Sequence, residues 1–136
     1  MKNQSSLILV ILLCFLFSSS TSESEILCDK IYNINKRIGS YNVNVQVCHN
    51  EAYQDCYIYG TVVYRKKGNK KKIKLLRPDI KHKNGYVRME WLALNNSRGF
   101  KLYYYPKTRE VKFDRAYTKK GKWKWKGRQY WFKLPK

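Results

Sequence analysis

Near the end of the chain, Lys122-Trp123-Lys124-Trp125-Lys126 alternates cations with indoles, and the chemistry open to such a run is the binding of anions. Cations at strand spacing can follow sulfates or phosphates, and aromatic faces beside them add stacking on bases or sugar rings. With Gly127-Arg128 as a two-residue hairpin loop, Trp125 faces Tyr130 and Trp123 faces Phe132 on an apolar side. Lys122, Lys124, Lys126, Gln129, Trp131 and Lys133 then share the opposite side. The same alternation in earlier strands turns Lys72, Lys74, Lys101, Tyr103 and Lys112 outward. With Arg128 and the outward Lys and Trp of the hairpin, these form the predicted polyanion-binding face.

Groups able to do covalent chemistry are sparse. Histidine is the usual acid–base side chain at physiological pH, and the sequence has two, His49 and His82. His82 between Lys81 and Lys83 is the nearest set to a basic nuclease, and a semi-buried strand residue is the plainer reading. Cys48, His49, Cys56 and His82 match no tight metal spacing. A phosphate-binding glycine loop and a serine nucleophile elbow are both missing from the sequence. No enzyme, metal or cofactor is therefore predicted. Asn95-Asn96-Ser97 is a glycosylation sequon, with Asn95 the acceptor if the source is eukaryotic.

The elements that must position these residues read as strands. From Tyr41 onward the apolar residues recur with period two between short turn signals, which predicts an all-β domain. Gly68-Asn69 as a loop sets Tyr64 opposite Ile73 and Val62 opposite Leu75, and Asn84-Gly85 pairs Ile80 with Met89 and His82 with Val87. A loop at 95–98 puts Ala93 opposite Phe100, Trp91 opposite Leu102 and Met89 opposite Tyr104. A loop at 106–109 puts Tyr104 opposite Val111 and Leu102 opposite Phe113. The expected fold is an antiparallel meander of about eight strands, either a small barrel or a two-sheet sandwich. Trp91, Trp123, Trp125, Phe100, Phe113 and Phe132 are expected in its core. Gly121-Lys122-Trp123 is similar to the G-x-W motif of lipocalin-like barrels, which carry it near the start of the chain rather than the end. Three residues do not carry over a ligand pocket; a small-ligand-binding β-barrel, which would need an enclosed apolar pocket, is kept as a separate second alternative.

Composition sets the setting. Lys2 followed by an apolar run at 7–17 and the small residues 18–22 reads as a secretory leader over 1–22. The run is shorter than the roughly 20 residues that span a bilayer as a helix, so a secreted protein with no transmembrane span is expected. Residues 23–40 are read as an N-terminal segment, short helix or irregular, and 41–136 as the basic β domain. The whole chain has a formal charge of +20, and residues 61–136 hold 25 of its 29 basic residues but four of its nine acidic ones. Such asymmetry implies an extracellular polyanion as partner, an acidic polysaccharide or similar; secretion disfavours nucleic acid. A membrane-active, toxin-like role is the other alternative, because KWKWK is an amphipathic basic strand. Among Cys28, Cys48 and Cys56, the favoured disulfide is Cys48 with Cys56, closing the connection between two neighbouring strands. Cys28 is then left over, available to link a dimer. The alternative ties Cys28 to Cys48 or Cys56.

Overall fold

The computed structural model describes residues 28–136; the leader reading lies outside the described residues. The chain forms nine strands: β1 (Lys30–Ile38), β2 (Tyr41–His49), β3 (Tyr57–Tyr64), β4 (Ile73–Lys83), β5 (Tyr86–Ala93), β6 (Arg98–Tyr105), β7 (Glu110–Lys119), β8 (Lys122–Trp125) and β9 (Gln129–Lys133). They make one sheet in the order β1 to β8, each strand antiparallel to the next, with β9 also on β7. The all-β meander is as expected, but it is a single sheet curled into a half-barrel, neither closed barrel nor sandwich. Its two edges meet through side chains: the Tyr32 hydroxyl donates to the Pro135 carbonyl at 2.7 Å, and Lys36 Nζ lies 4.0 Å from the Phe132 ring centre.

Residues 30–38 are a strand, which corrects the expectation of a helix or irregular segment. Tyr32 and Ile34 alternate inward with polar Asn33 and Asn35 outward, a period-two pattern that the outward-facing Ile31 disguises. The inner face then reads along β2 to β7 as Val43, Val45, Val47, Ile58, Val62, Leu75, Val87, Trp91, Phe100, Leu102, Tyr104 and Val111, each under 2% exposed or at 2%. Gly60 is needed where β3 crosses β2, because at φ +140° an added Cβ would stand 2.4 Å from the Asn44 carbonyl oxygen.

The predicted pairings Val62 with Leu75, Tyr64 with Ile73, Ile80 with Met89, His82 with Val87, Leu102 with Phe113 and Tyr104 with Val111 are all observed. Between β5 and β6 the register differs by two residues: Trp91 opposes Phe100 and Met89 opposes Leu102. The turn there closes one step earlier than expected, through Asn96 N–H to the Ala93 carbonyl at 2.9 Å, with Asn96 at φ +53°. A shift of two keeps every side chain on its face.

The C-terminal hairpin is not at Gly127-Arg128. Lys120 and Gly121, at φ +52° and +74°, form the two-residue turn, and β8 pairs back onto β7 with Trp125 opposite Ala116 and Trp123 opposite Thr118. Strand β9 continues along the same edge of β7, so β8 and β9 are one interrupted strand and not a hairpin pair. Consequently Trp123 and Trp125 lie on the outer face rather than in the core, their ring centres 6.2 Å apart. They rest on Gly99, where a Cβ would come within 3.1 Å of Trp125. In β9 a register shift beside Val111 reverses two of the expected positions, with Tyr130 outside at 58% exposed and Trp131 packed on Phe113 and Phe132, while Phe132 packs against the core as expected.

The disulfide joins Cys28 to Cys48, not Cys48 to Cys56. Cys48 is the partner of Tyr57 in the β2–β3 ladder, so Cys56, one residue earlier, projects to the opposite side and into the core. Cys28 precedes β1, whose Ile31 pairs with Cys48, and the two Cα atoms stand 5.3 Å apart. Cys28 is thus engaged within the chain and does not supply a thiol for a dimer. Burial pushes the Cys56 thiol up, against a weaker opposing hydrogen bond with the Asn50 backbone.

Candidate anion-binding rim

An antiparallel meander sends alternate turns to opposite ends of the sheet, and in this chain that sorts the charges. The turns β1–β2, β3–β4, β5–β6 and β7–β8 share one end. Over residues 36–41, 64–74, 93–98 and 117–126, which make those turns and their flanks, the sequence contains lysine and arginine but no aspartate or glutamate. The acidic Asp29, Glu51 and Asp55 belong to the other end, with the β2–β3 connection. Arg65 N–H to Ser40 O at 2.7 Å and Thr118 N–H to Ser97 O at 3.2 Å extend the β2–β3 and β6–β7 ladders into the rim, and curling brings β2 to β7, where the Tyr41 hydroxyl donates to Ala116 O at 3.4 Å.

Inside this rim is a cavity of ≈190 Å³, walled on one side by Gly39, Ser40, Tyr41 and Tyr64 and on the other by Arg98, Arg115, Tyr117 and Lys126. Arg98 opposes Tyr117, and Arg115 opposes Phe100, so both guanidiniums start from inward-facing positions at the end of the core. Arg98 stacks 4.7 Å from the Tyr64 ring centre. The Arg115 Nε is buried with no hydrogen-bond partner. None of the ion pairs among the described residues involves Arg98, Arg115 or Lys126. Burial raises the Tyr41 phenol to about 12, partly offset by the two arginines, so it remains a neutral donor at physiological pH.

On the outer face, cations are taken up by aromatic rings. Arg128 lies 4.1 Å from the Tyr103 ring centre and 4.7 Å from that of Tyr86, and donates to the Tyr105 hydroxyl at 2.5 Å. Lys101 Nζ sits 3.7 Å over Trp125 and 3.9 Å from Glu90; Lys112 Nζ sits 4.9 Å over Tyr105 and 3.9 Å from Glu110. One carboxylate organises the junction. Asp114 Oδ1, buried, accepts the Gly127 N–H at 2.9 Å and the Arg115 N–H at 2.8 Å, while Lys126 N–H donates to Arg115 O. The link between β8 and β9 is thereby held so that Lys126 turns to the cavity and Arg128 to the tyrosines.

The sequence-predicted residues therefore separate. Lys72, Lys74, Lys122, Lys124 and Lys126 belong to the rim and its flanks. Lys101, Lys112 and Arg128 are engaged on the outer face, where Tyr103 is covered and 4% exposed. Lys133 pairs with Glu110 toward the opposite end, and Trp131 packs against the core. Asn95 is exposed in the β5–β6 turn. His49 Nδ1 is 2.7 Å from the Tyr104 hydroxyl, and His82 Nε2 is 2.6 Å from Cys56 O; these neighbours anchor both rings to the scaffold.

Arg98, Arg115, Tyr41, Tyr64 and Tyr117 were not singled out by sequence reasoning. The signal was present, since Arg98 and Arg115 sit two residues before Phe100 and two after Phe113, on the inward parity. Fold and site together define a class: an open, curled antiparallel sheet with a cationic rim around a small polar cavity. Comparison with protein-family models, curated proteins and solved structures finds no match to this chain. Among the described residues, no helix is long and apolar enough to cross a membrane.

Proposed function

We propose that this is a secreted protein that binds an extracellular polyanion of the acidic-polysaccharide class through the rim. The observation that carries the reading is the gathering of four acid-free turns at one end, which gives a polyanion a surface of single sign. The Cys28–Cys48 disulfide supports an oxidising compartment, in keeping with the leader-like residues 1–22. Binding here is by arranged charge, with no bond made or broken.

The test compares two variants of equal net charge: Lys70→Glu/Lys71→Glu at the rim, and Lys107→Glu/Lys133→Glu toward the other end. On a plain sulfonate exchanger both elute at the same salt. On immobilised heparin the rim variant elutes at clearly lower salt than the other. Coincident elution on heparin rejects the rim as the site.

A second reading has its own observation. Trp123 at 37% and Leu94 at 60% exposed stand among the lysines of this end, a combination suited to an anionic membrane surface. Co-sedimentation with vesicles of anionic but not zwitterionic lipid, blue-shifting tryptophan emission, would favour it over the polysaccharide.

A further inference from the structure

The rim cations could attract a polyanion diffusely, with no contact better than another. The cavity inside the rim has features that diffuse attraction does not need. Three cationic residues, Arg98, Arg115 and Lys126, line a single space. The β6–β7 and β7–β8 ladders set them side by side, and the curl of the sheet brings Gly39, Ser40 and Tyr41 against them to close the space. Their positive charge is uncompensated by any ion pair among the described residues. The buried Arg115 Nε–H lacks an acceptor, although buried donors are ordinarily satisfied. Gly39 opens the approach, since a Cβ there would stand 3.2 Å from the Arg115 Nη1.

The dimensions select the ligand. At ≈190 Å³ the cavity is below the roughly 300 to 1,000 Å³ of pockets that enclose whole small molecules. It suits one group of a larger chain. Guanidinium forks match the oxygen spacing of sulfate and phosphate through paired N–H donors, and Arg98 and Arg115 are half-buried while Lys126 stands exposed at the mouth. The phenols of Tyr41, Tyr64 and Tyr117 add neutral walls.

We propose that the Arg98–Arg115–Lys126 cavity is a socket for a single tetrahedral oxyanion, a sulfate or phosphate monoester carried on the polyanion. The socket rests on the polyanion reading for its biological ligand, but not for its chemistry. It fixes one group of the bound chain in place, and the acid-free turns around it hold the neighbouring charges.

The experiment follows the arginine Nε–Hε signals of the mature protein by NMR while inorganic sulfate, and separately inorganic phosphate, replaces chloride at constant ionic strength. Saturable shifts of the Arg98 and Arg115 signals are expected. Arg98→Gln should weaken that binding at least tenfold, whereas Lys70→Glu/Lys71→Glu should leave it within twofold. Arg115→Lys, which keeps the charge but removes the fork, should weaken it too; circular dichroism checks that both variants fold, and Arg98→Gln alone decides if Arg115→Lys does not. Preference for one anion assigns the ester class, and equal affinity supports a socket that takes either. Shifts that rise linearly without saturation, or affinity unchanged in Arg98→Gln, overturn the socket. The two readings fail separately. If Lys70→Glu/Lys71→Glu lowers heparin retention but sulfate does not saturate, the rim stands and the socket falls. If sulfate saturates but heparin retention ignores the rim charges, the socket stands and the polyanion reading falls.

Discussion

The Asp114 carboxylate satisfies two backbone N–H groups at the break between β8 and β9, and no other side chain holds that link in this way among the described residues. Replacing it with alanine leaves both donors without their partner in a buried setting, which costs about 1–3 kcal/mol. Urea denaturation of Asp114→Ala should show this loss, together with a change in the environment of Trp125; an unchanged midpoint would mean that the link is held by the ladder alone. Tyr41 makes a different contribution. Its folded-state value of about 12 lies above the ordinary phenol value of 10.0, chiefly because burial disfavours the phenolate. The folded state therefore keeps a proton that the unfolded state releases. Stability from this group is complete below pH 10 and is lost as pH rises through 12. The urea midpoint should fall across that window, and Tyr41→Phe should flatten the fall relative to the parent protein.

Turns decide the elements more than strands do. Lys120 occupies a left-handed conformation at φ +52°, where a lysine is strained and asparagine is tolerated. Lys120→Asn should raise stability by about 0.5–1 kcal/mol and leave Trp123 and Trp125 stacked. If instead the substitution destabilises, the turn at 120–121 is not what sets the β7–β8 register. The alternative turn at Gly127-Arg128 loses because the β7 edge offers β8 a ready ladder directly after the 120–121 turn. Asp114 then accepts the Gly127 N–H, and β9 extends the same edge. Glycine at 127 serves an interruption in a strand, at φ +102°, rather than a reversal of it.

Across the whole molecule, the topology concentrates cations at one end, and like charges there repel. At low ionic strength this repulsion is nearly unscreened, since the Debye length is roughly 30 Å at 0.01 M against 3 Å at 1 M. Raising the salt in chloride should therefore raise Tm, by less in Lys70→Glu/Lys71→Glu than in the parent. A Tm that falls with salt would mean that ion pairs such as Lys101–Glu90 outweigh the repulsion.

Period-two alternation, with turn glycines and asparagines, was enough to determine an antiparallel all-β meander and six of its cross-strand pairings, because side-chain parity is a local property of the strand. Composition likewise determined that the second half is strongly basic. Three things needed the tertiary structure. The curl decided that the Gly39–Tyr41 turn and Tyr64 face Arg98, Arg115 and Lys126, which the β6–β8 ladders set side by side, and so made a cavity between distant parts of the chain. Competition for the β7 edge moved Trp123 and Trp125 outside, a choice between two local turns that only the rest of the sheet could make. The disulfide partner of Cys48 depended on which side of the sheet each cysteine faces and on a β1 strand that outward Ile31 had hidden. Local patterns specify which way a side chain points; only long-range packing specifies what it meets there.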